Sequence, residues 1–146
     1  MIYIVEGCTC SGKSTFAKNL AEVLDYHLVH YSIPDKNFTY FTDYRNRIIS
    51  SKNVVLDRFF YSELVYQKAF DREVKISESE VEELEFMLSL KGCKIIFMNP
   101  SFDLIKERYE KRGDDHVTDF SLLYKVYSSY RNVIDNSLLP VVEIVD

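Results

Sequence analysis

IYIV at residues 2–5 runs straight into EGCTCSGKST at residues 6–15. The first four residues read as a buried strand, and residues 13–24 place Phe16, Ala17, Leu20, Ala21 and Leu24 on one helical face. Between them, Gly7-Cys8-Thr9-Cys10-Ser11-Gly12-Lys13-Ser14 fits the pattern G-x-x-x-x-G-K-[ST] in the strand-turn-helix context that it requires. Glycines at the two ends let successive N–H groups turn inward and form a nest for phosphate oxygens. The N-terminus of the following helix adds its positive dipole end. Cys8 and Cys10 raise a second reading, a metal site. Their spacing is not C-x-x-C, and Cys93 is the one further cysteine, so small loop residues are the better account.

Outward from this loop the pattern alternates. Strands are expected at 27–31, 53–57, 93–98 and 140–145, and helices at 37–50 and 60–70. A Ser-Glu-Ser-Glu capping box at 77–80 opens a helix carrying Val81, Leu84 and Leu88. A further helix starts after Asn99-Pro100-Ser101 and runs through Arg112. Thr118 and Asp119 cap another, with Phe120, Leu123, Tyr127, Tyr130 and Ile134 facing inward. Strand and helix thus alternate about five times, which predicts an α/β fold with a parallel sheet covered on both faces. The strands read as continuous apolar runs, as doubly covered strands do. In such sheets ligands sit at the carboxyl ends of the strands.

The composition agrees. At 146 residues, 47% hydrophobic and 28% charged, the chain is expected to form one globular domain, residues 1–146. No apolar run approaches the roughly 20 residues that span a bilayer, and no signal-peptide pattern opens the sequence, so a cytoplasmic protein is expected. A net charge of −5 counts against a broad duplex-DNA surface.

The second informative stretch is NVVLDRFFYSELVYQ, residues 53–67, with Asp57-Arg58 at the end of the third strand. Here the chain resembles the thymidylate kinase family, which carries E-G-x-D-G-[AS]-G-K-S-T and then D-R-Y-x-x-S-x-x-A-Y-Q. Asp57, Arg58, Phe59, Ser62, Val65, Tyr66 and Gln67 stand at that spacing. It also looks like the deoxynucleoside kinases, whose acidic-Arg-Ser is followed by Tyr-Ser, as Tyr61-Ser62 here. The resemblance implies a three-layer P-loop NTPase fold with a five-stranded parallel sheet in the order 2-3-1-4-5. It also implies in-line transfer of the γ-phosphoryl of ATP, with Mg²⁺, to a small nucleotide or nucleoside, a thymidylate-like acceptor first.

The roles implied follow residue by residue. Gly7, Cys8, Thr9, Cys10, Ser11, Gly12, Lys13, Ser14 and Thr15 would hold ATP, with Lys13 on the β- and γ-phosphates and Ser14 on magnesium. Asp57 is expected as a magnesium-shell or general-base carboxylate, and Arg58 on a phosphate. ERYEKRGDDH, within a lid at about 107–118, places Arg108 and Arg112 on one helical face to close over the transferred group. Phe41 and Arg45 from the helix at 37–50, with Tyr66 and Gln67, are the expected acceptor contacts. Glu6 is read as structural.

Two departures stand out. Thr9 replaces the loop Asp of thymidylate kinases, and Ser32-Ile33-Pro34 replaces their Arg-Glu-Pro. The acceptor-side carboxylate is then Asp57 or Asp35. A deoxynucleoside acceptor, or a hydroxyl of a nucleic acid or modified base, is the alternative substrate. A non-catalytic nucleotide-binding protein is the alternative class, and no N-K-x-D base-reading sequence supports it. Relatives commonly dimerise, so a homodimer is possible.

Overall fold

The computed structural model describes residues 1–32, 34–114 and 117–145. Five strands, β1 (Ile2–Gly7), β2 (His27–His30), β3 (Val54–Asp57), β4 (Cys93–Met98) and β5 (Val141–Ile144), form one sheet in the order β2-β3-β1-β4-β5. Every pairing is parallel. The helices are α1 (Lys13–Leu24), α2 (Tyr40–Ser50), α3 (Phe60–Ala69), α4 (Glu78–Lys91), α5 (Phe102–Arg112) and α6 (Phe120–Asp135). The expected sheet and strand order are thus present.

The strand period of two divides the core. Ile2 and Ile4, Val54 and Leu56, and Cys93, Ile95 and Phe97 face the larger cluster, which also holds Tyr44, Leu84, Leu88 and Tyr130. Val5, Val55 and Ile96 face the opposite way, onto Ala17 and Ala21 of α1. The three central strands are therefore apolar on both faces. The edge strands depart from the expected pattern. Most residues of β2 and β5 are exposed, Val141 and Val142 among them, because the packed clusters centre on the three inner strands.

Local chemistry sets the helix ends. Ser77 and Glu80 form the expected capping box on α4, and the Asp119 carboxylate accepts from Leu122 N to cap α6. α2 starts at Tyr40, later than the sequence pattern indicates. Asp35 Oδ1 accepts from Asn37 N at 2.8 Å, and the Asp35 carbonyl accepts from Phe38 N, so a turn occupies the first residues. Among the described residues no helix is long and apolar enough to cross a membrane.

The inner strands set stability. Ile4→Ala, at a fully buried position of the central strand, is expected to cost about 2–5 kcal/mol by chemical denaturation. Val23→Ala on the 82% exposed face of α1 should stay within about 0.5 kcal/mol.

Candidate functional site

The first loop has the backbone that its sequence anticipates. Gly12 is left-handed at φ 87° and directly precedes α1, with no side-chain cap, so the first-turn N–H groups are open to an anion. Cys10 is also left-handed, at φ 65°. At Gly7 a Cβ would stand 2.7 Å from both the Met98 carbonyl and Ser11 Oγ, so only glycine admits this approach of the loop to β4. Cys8 and Cys10 are buried free thiols, and burial pushes the Cys8 thiol up to about 12, leaving it an inert wall residue.

The strand tips converge beside the loop. Parallel pairing sets Val5 opposite Asp57 and His30 opposite Asp57. Lys13 Nζ stands 3.6 Å from Asp57 Oδ1 and donates to Ser14 Oγ at 3.3 Å. His30 Nδ1 is 2.7 Å from Asp57 Oδ2. Burial pushes the Asp57 carboxyl up, but the Lys13 charge and the His30 hydrogen bond outweigh it, and the group lies below the usual carboxylate range. Burial and the nearby Arg58 charge lower the Lys13 ammonium. Asp57 Oδ1 and Ser11 Oγ are buried with no hydrogen-bond partner among the described residues. An unsatisfied carboxylate oxygen beside the Ser14 hydroxyl is a hard-oxygen donor set that suits Mg²⁺.

Arg58 follows Asp57 in a left-handed conformation, φ 70°, uncommon for a residue with a side chain. Its Nη1 donates to Tyr66 OH at 3.1 Å, with the guanidinium 5.7 Å from the Tyr66 ring centre. Beneath it Glu6, fully buried, accepts from Phe59 N at 3.0 Å, Ser62 N at 3.1 Å and Ser62 Oγ at 2.5 Å. Burial raises its carboxyl to about 7, against the lowering by these hydrogen bonds and by Arg58.

A cavity of about 550 Å³ opens from this point. Lys13, Arg58 and Asp114 line one part, and Tyr44, Phe59 and Phe70 supply aromatic wall. Glu63, which is buried, and Arg72, which is exposed, also line it, with Arg72 Nη2 donating to Glu63 Oε2 at 3.4 Å. Burial pushes the Glu63 carboxyl up, and Arg72 pulls it back. From α5, Arg108 Nη1 donates to the Cys10 carbonyl and Arg112 Nη2 to Thr9 Oγ1, each at 3.1 Å. Thr9 Oγ1 in turn donates to Asp114 Oδ2 at 2.9 Å.

The structure thus brings together Gly7 to Ser14, Asp57, Arg58, Arg108, Arg112 and Tyr66. Thr15 is exposed in the first turn of α1. Three expected acceptor residues lie elsewhere. Phe41 is partly buried against the core, and Arg45 is exposed; neither lines the cavity. On α2 the inward face is set by Tyr44 and Ile48, so Tyr44 reaches the cavity instead. Gln67 Oε1 accepts from Lys75 N and braces the loop after α3. Of the lid at 107–118, residues 115 and 116 lie outside the described residues, as does Ile33. His30, Glu63, Arg72 and Asp114 were not singled out from the sequence. The strand register would have found His30; Glu63 is one residue beyond the Asp57 to Ser62 motif.

No protein-family model matches the chain. It is 29% identical over 143 residues to the SPbeta prophage-derived uncharacterized protein YorR of Bacillus subtilis, spanning 93% of this chain and 83% of that protein. The crystal structure of Bacillus subtilis YorR in complex with phosphorylated GDP superposes with a TM-score of 0.84 at 26% identity, covering 99% of this chain and 85% of that one. Deoxyadenosine kinase from M. mycoides with bound dCTP gives 0.66 at 17% identity, over 99% and 90% of the two chains. Shikimate kinase from Aquifex aeolicus gives 0.57 at 16%, over 98% and 85%. The fold is therefore that of the P-loop kinases.

Burial of Glu6 has a pH consequence. Its carboxyl moves from 4.5 to about 7 on folding, so between these values the folded chain holds a proton that the unfolded chain releases. Stability should fall as pH rises through this window, by up to about 3 kcal/mol from this group. Thermal melts from pH 4.5 to 7.5 should show this loss in the wild type and a flatter profile in Glu6→Gln.

Proposed function

We propose that the chain is an ATP- and Mg²⁺-dependent kinase that phosphorylates the hydroxyl of a deoxynucleoside-type acceptor. The observation that carries this reading is the cavity: it begins at Lys13 and Arg58, beside the phosphate loop, and continues between aromatic side chains to the Glu63–Arg72 pair. A flat base fits between Tyr44, Phe59, Tyr66 and Phe70, and the carboxylate–guanidinium pair offers an acceptor and donors to its edge. The complex of YorR with phosphorylated GDP supports a nucleotide-type ligand for a chain of this fold.

The charges favour a nucleoside over a thymidylate-like monophosphate. Glu63 and Asp114 line the cavity and Arg72 is engaged by Glu63, so of the arginines that line it Arg58 is left for one phosphoryl group. A monophosphate acceptor would add a second phosphate to that space.

In this reading the loop N–H groups and Lys13 hold the β- and γ-phosphates of ATP, and Arg58 meets the group in transit. Arg108 and Arg112, already bonded to the loop, move onto the γ-phosphoryl oxygens. Ser14 and Asp57 would hold magnesium, which when bound neutralises phosphate charge. The transfer passes through a loose transition state, so positioning and charge compensation do most of the work. Exclusion of water by the closed lid suppresses ATP hydrolysis.

A coupled ADP-release assay over nucleosides, monophosphates and a short oligonucleotide tests this. Nucleosides should raise turnover well above the ATP-only rate. Turnover only with monophosphates would move the acceptor to the thymidylate-like class, and only with the oligonucleotide to a nucleic-acid end. No stimulation by any of them would refute the kinase reading. Lys13→Ala should lower kcat at least 10³-fold with the thermal midpoint nearly unchanged, and Arg108→Ala or Arg112→Ala by roughly 10²-fold. Glu63→Gln should raise the acceptor KM about tenfold while leaving the ATP KM in place; equal shifts in both would take Glu63 out of base reading.

A further inference from the structure

We infer that Glu6 is a positioning residue for the phosphoryl-transfer site: its buried carboxylate holds the turn after β3 so that Arg58 stays left-handed and points its guanidinium into the acceptor cavity. The inference rests on the reading of that cavity as the acceptor site. Two consecutive residues of β1 grip the chain on either side of the Arg58 Cα. The Val5 carbonyl accepts from Arg58 N at 2.9 Å, and the Glu6 carboxylate accepts from Phe59 N at 3.0 Å. The same carboxylate takes Ser62 N and Ser62 Oγ, which ties the first turn of α3 to the same point. Ser62 Oγ and Tyr130 OH, 2.9 Å apart, complete the network from α6.

A residue with a Cβ does not hold φ near 70° unless its surroundings over-determine it. Here they do, and the result is specific. Arg58 Nη1 is aligned on Tyr66 OH, and the guanidinium lies beside Lys13 at the mouth of the phosphate loop. An extended φ at Arg58 would turn the side chain away from the loop. A buried carboxylate is a costly way to satisfy two amides, since a carbonyl would serve. It takes the Ser62 hydroxyl as well as the two amides, which one carbonyl would not. Because Glu6 directly precedes Gly7, the residue that places the acceptor-side arginine is part of the segment that cradles the donor phosphates.

The test compares wild type, Glu6→Ala, Glu6→Gln, Arg58→Ala and the double variant Glu6→Ala/Arg58→Ala. Glu6→Ala should lower kcat at least tenfold with the ATP KM within twofold. Glu6→Gln, whose side-chain oxygen still accepts from the two amides, should recover most of that loss. The double variant should be no slower than Arg58→Ala within threefold, because Glu6 acts through Arg58. Wild-type kcat in Glu6→Ala, or losses that multiply in the double variant, would overturn the inference. If Glu6→Ala does not fold, the same criteria are applied to Glu6→Met and Glu6→Met/Arg58→Ala, which keep the buried volume and remove the acceptor. If the wild type turns over no acceptor, the kinase reading fails on its own. The positioning claim is then decided by a crystal structure of Glu6→Ala: departure of Arg58 from the left-handed region upholds it, and φ unchanged near 70° overturns it.

Discussion

The parallel pairing of β1 with β3 is the constraint on which the rest depends. It places Val5 opposite Asp57, so the phosphate loop and the Asp57-Arg58-Phe59 turn leave the sheet side by side. Lys13 comes within 3.6 Å of Asp57 only because both elements end at that level. The pairing of β2 with β3 adds His30 to the same corner, and β1 with β4 brings Met98 against Gly7. A one-residue slip in any of these registers would send the strand-tip side chains to the other face of the sheet.

Burial does the electrostatic work at this corner. Glu6, Lys13, Asp57 and Glu63 are all buried, and each is perturbed by desolvation together with its neighbours. Charges in such a low-dielectric corner interact more strongly than they would in water. The arginines of α5 approach the loop from outside and remain exposed. Thr9 connects the two sets, donating to Asp114 while accepting from Arg112.

Much of this was legible in the residues. The β-branched and apolar runs of β1, β3 and β4 gave their strands away, because both faces of each are covered. The place of the Gly7–Ser14 loop and of the Asp57-Arg58 pair at neighbouring strand tips could be read from type and spacing, since it depends on backbone freedom and local order. What was not legible depends on where helices rotate. Phe41 and Tyr44 both fit an apolar face of α2, and only the packing against Phe59 and Phe60 turns Tyr44 inward. Gln67 stands at the spacing of a motif that the sequence resembles, yet its oxygen is claimed by Lys75 N. The Glu63–Arg72 pair links the first turn of α3 to the loop after its last turn, a separation with no local pattern. The exposure of β2 and β5 follows from their place at the sheet edges, which is a property of strand order rather than of either segment.

The central claim is that the phosphate loop and the aromatic cavity are the two halves of one transfer site meeting at Lys13 and Arg58. Calorimetric titration with a bisubstrate analogue, adenosine joined through an oligophosphate chain to a second nucleoside, measures that directly. The account predicts binding at least 10²-fold tighter than either half alone, as expected for linked ligands filling adjoining subsites, with that gain lost in Lys13→Ala. An analogue that binds no tighter than ATP would contradict it.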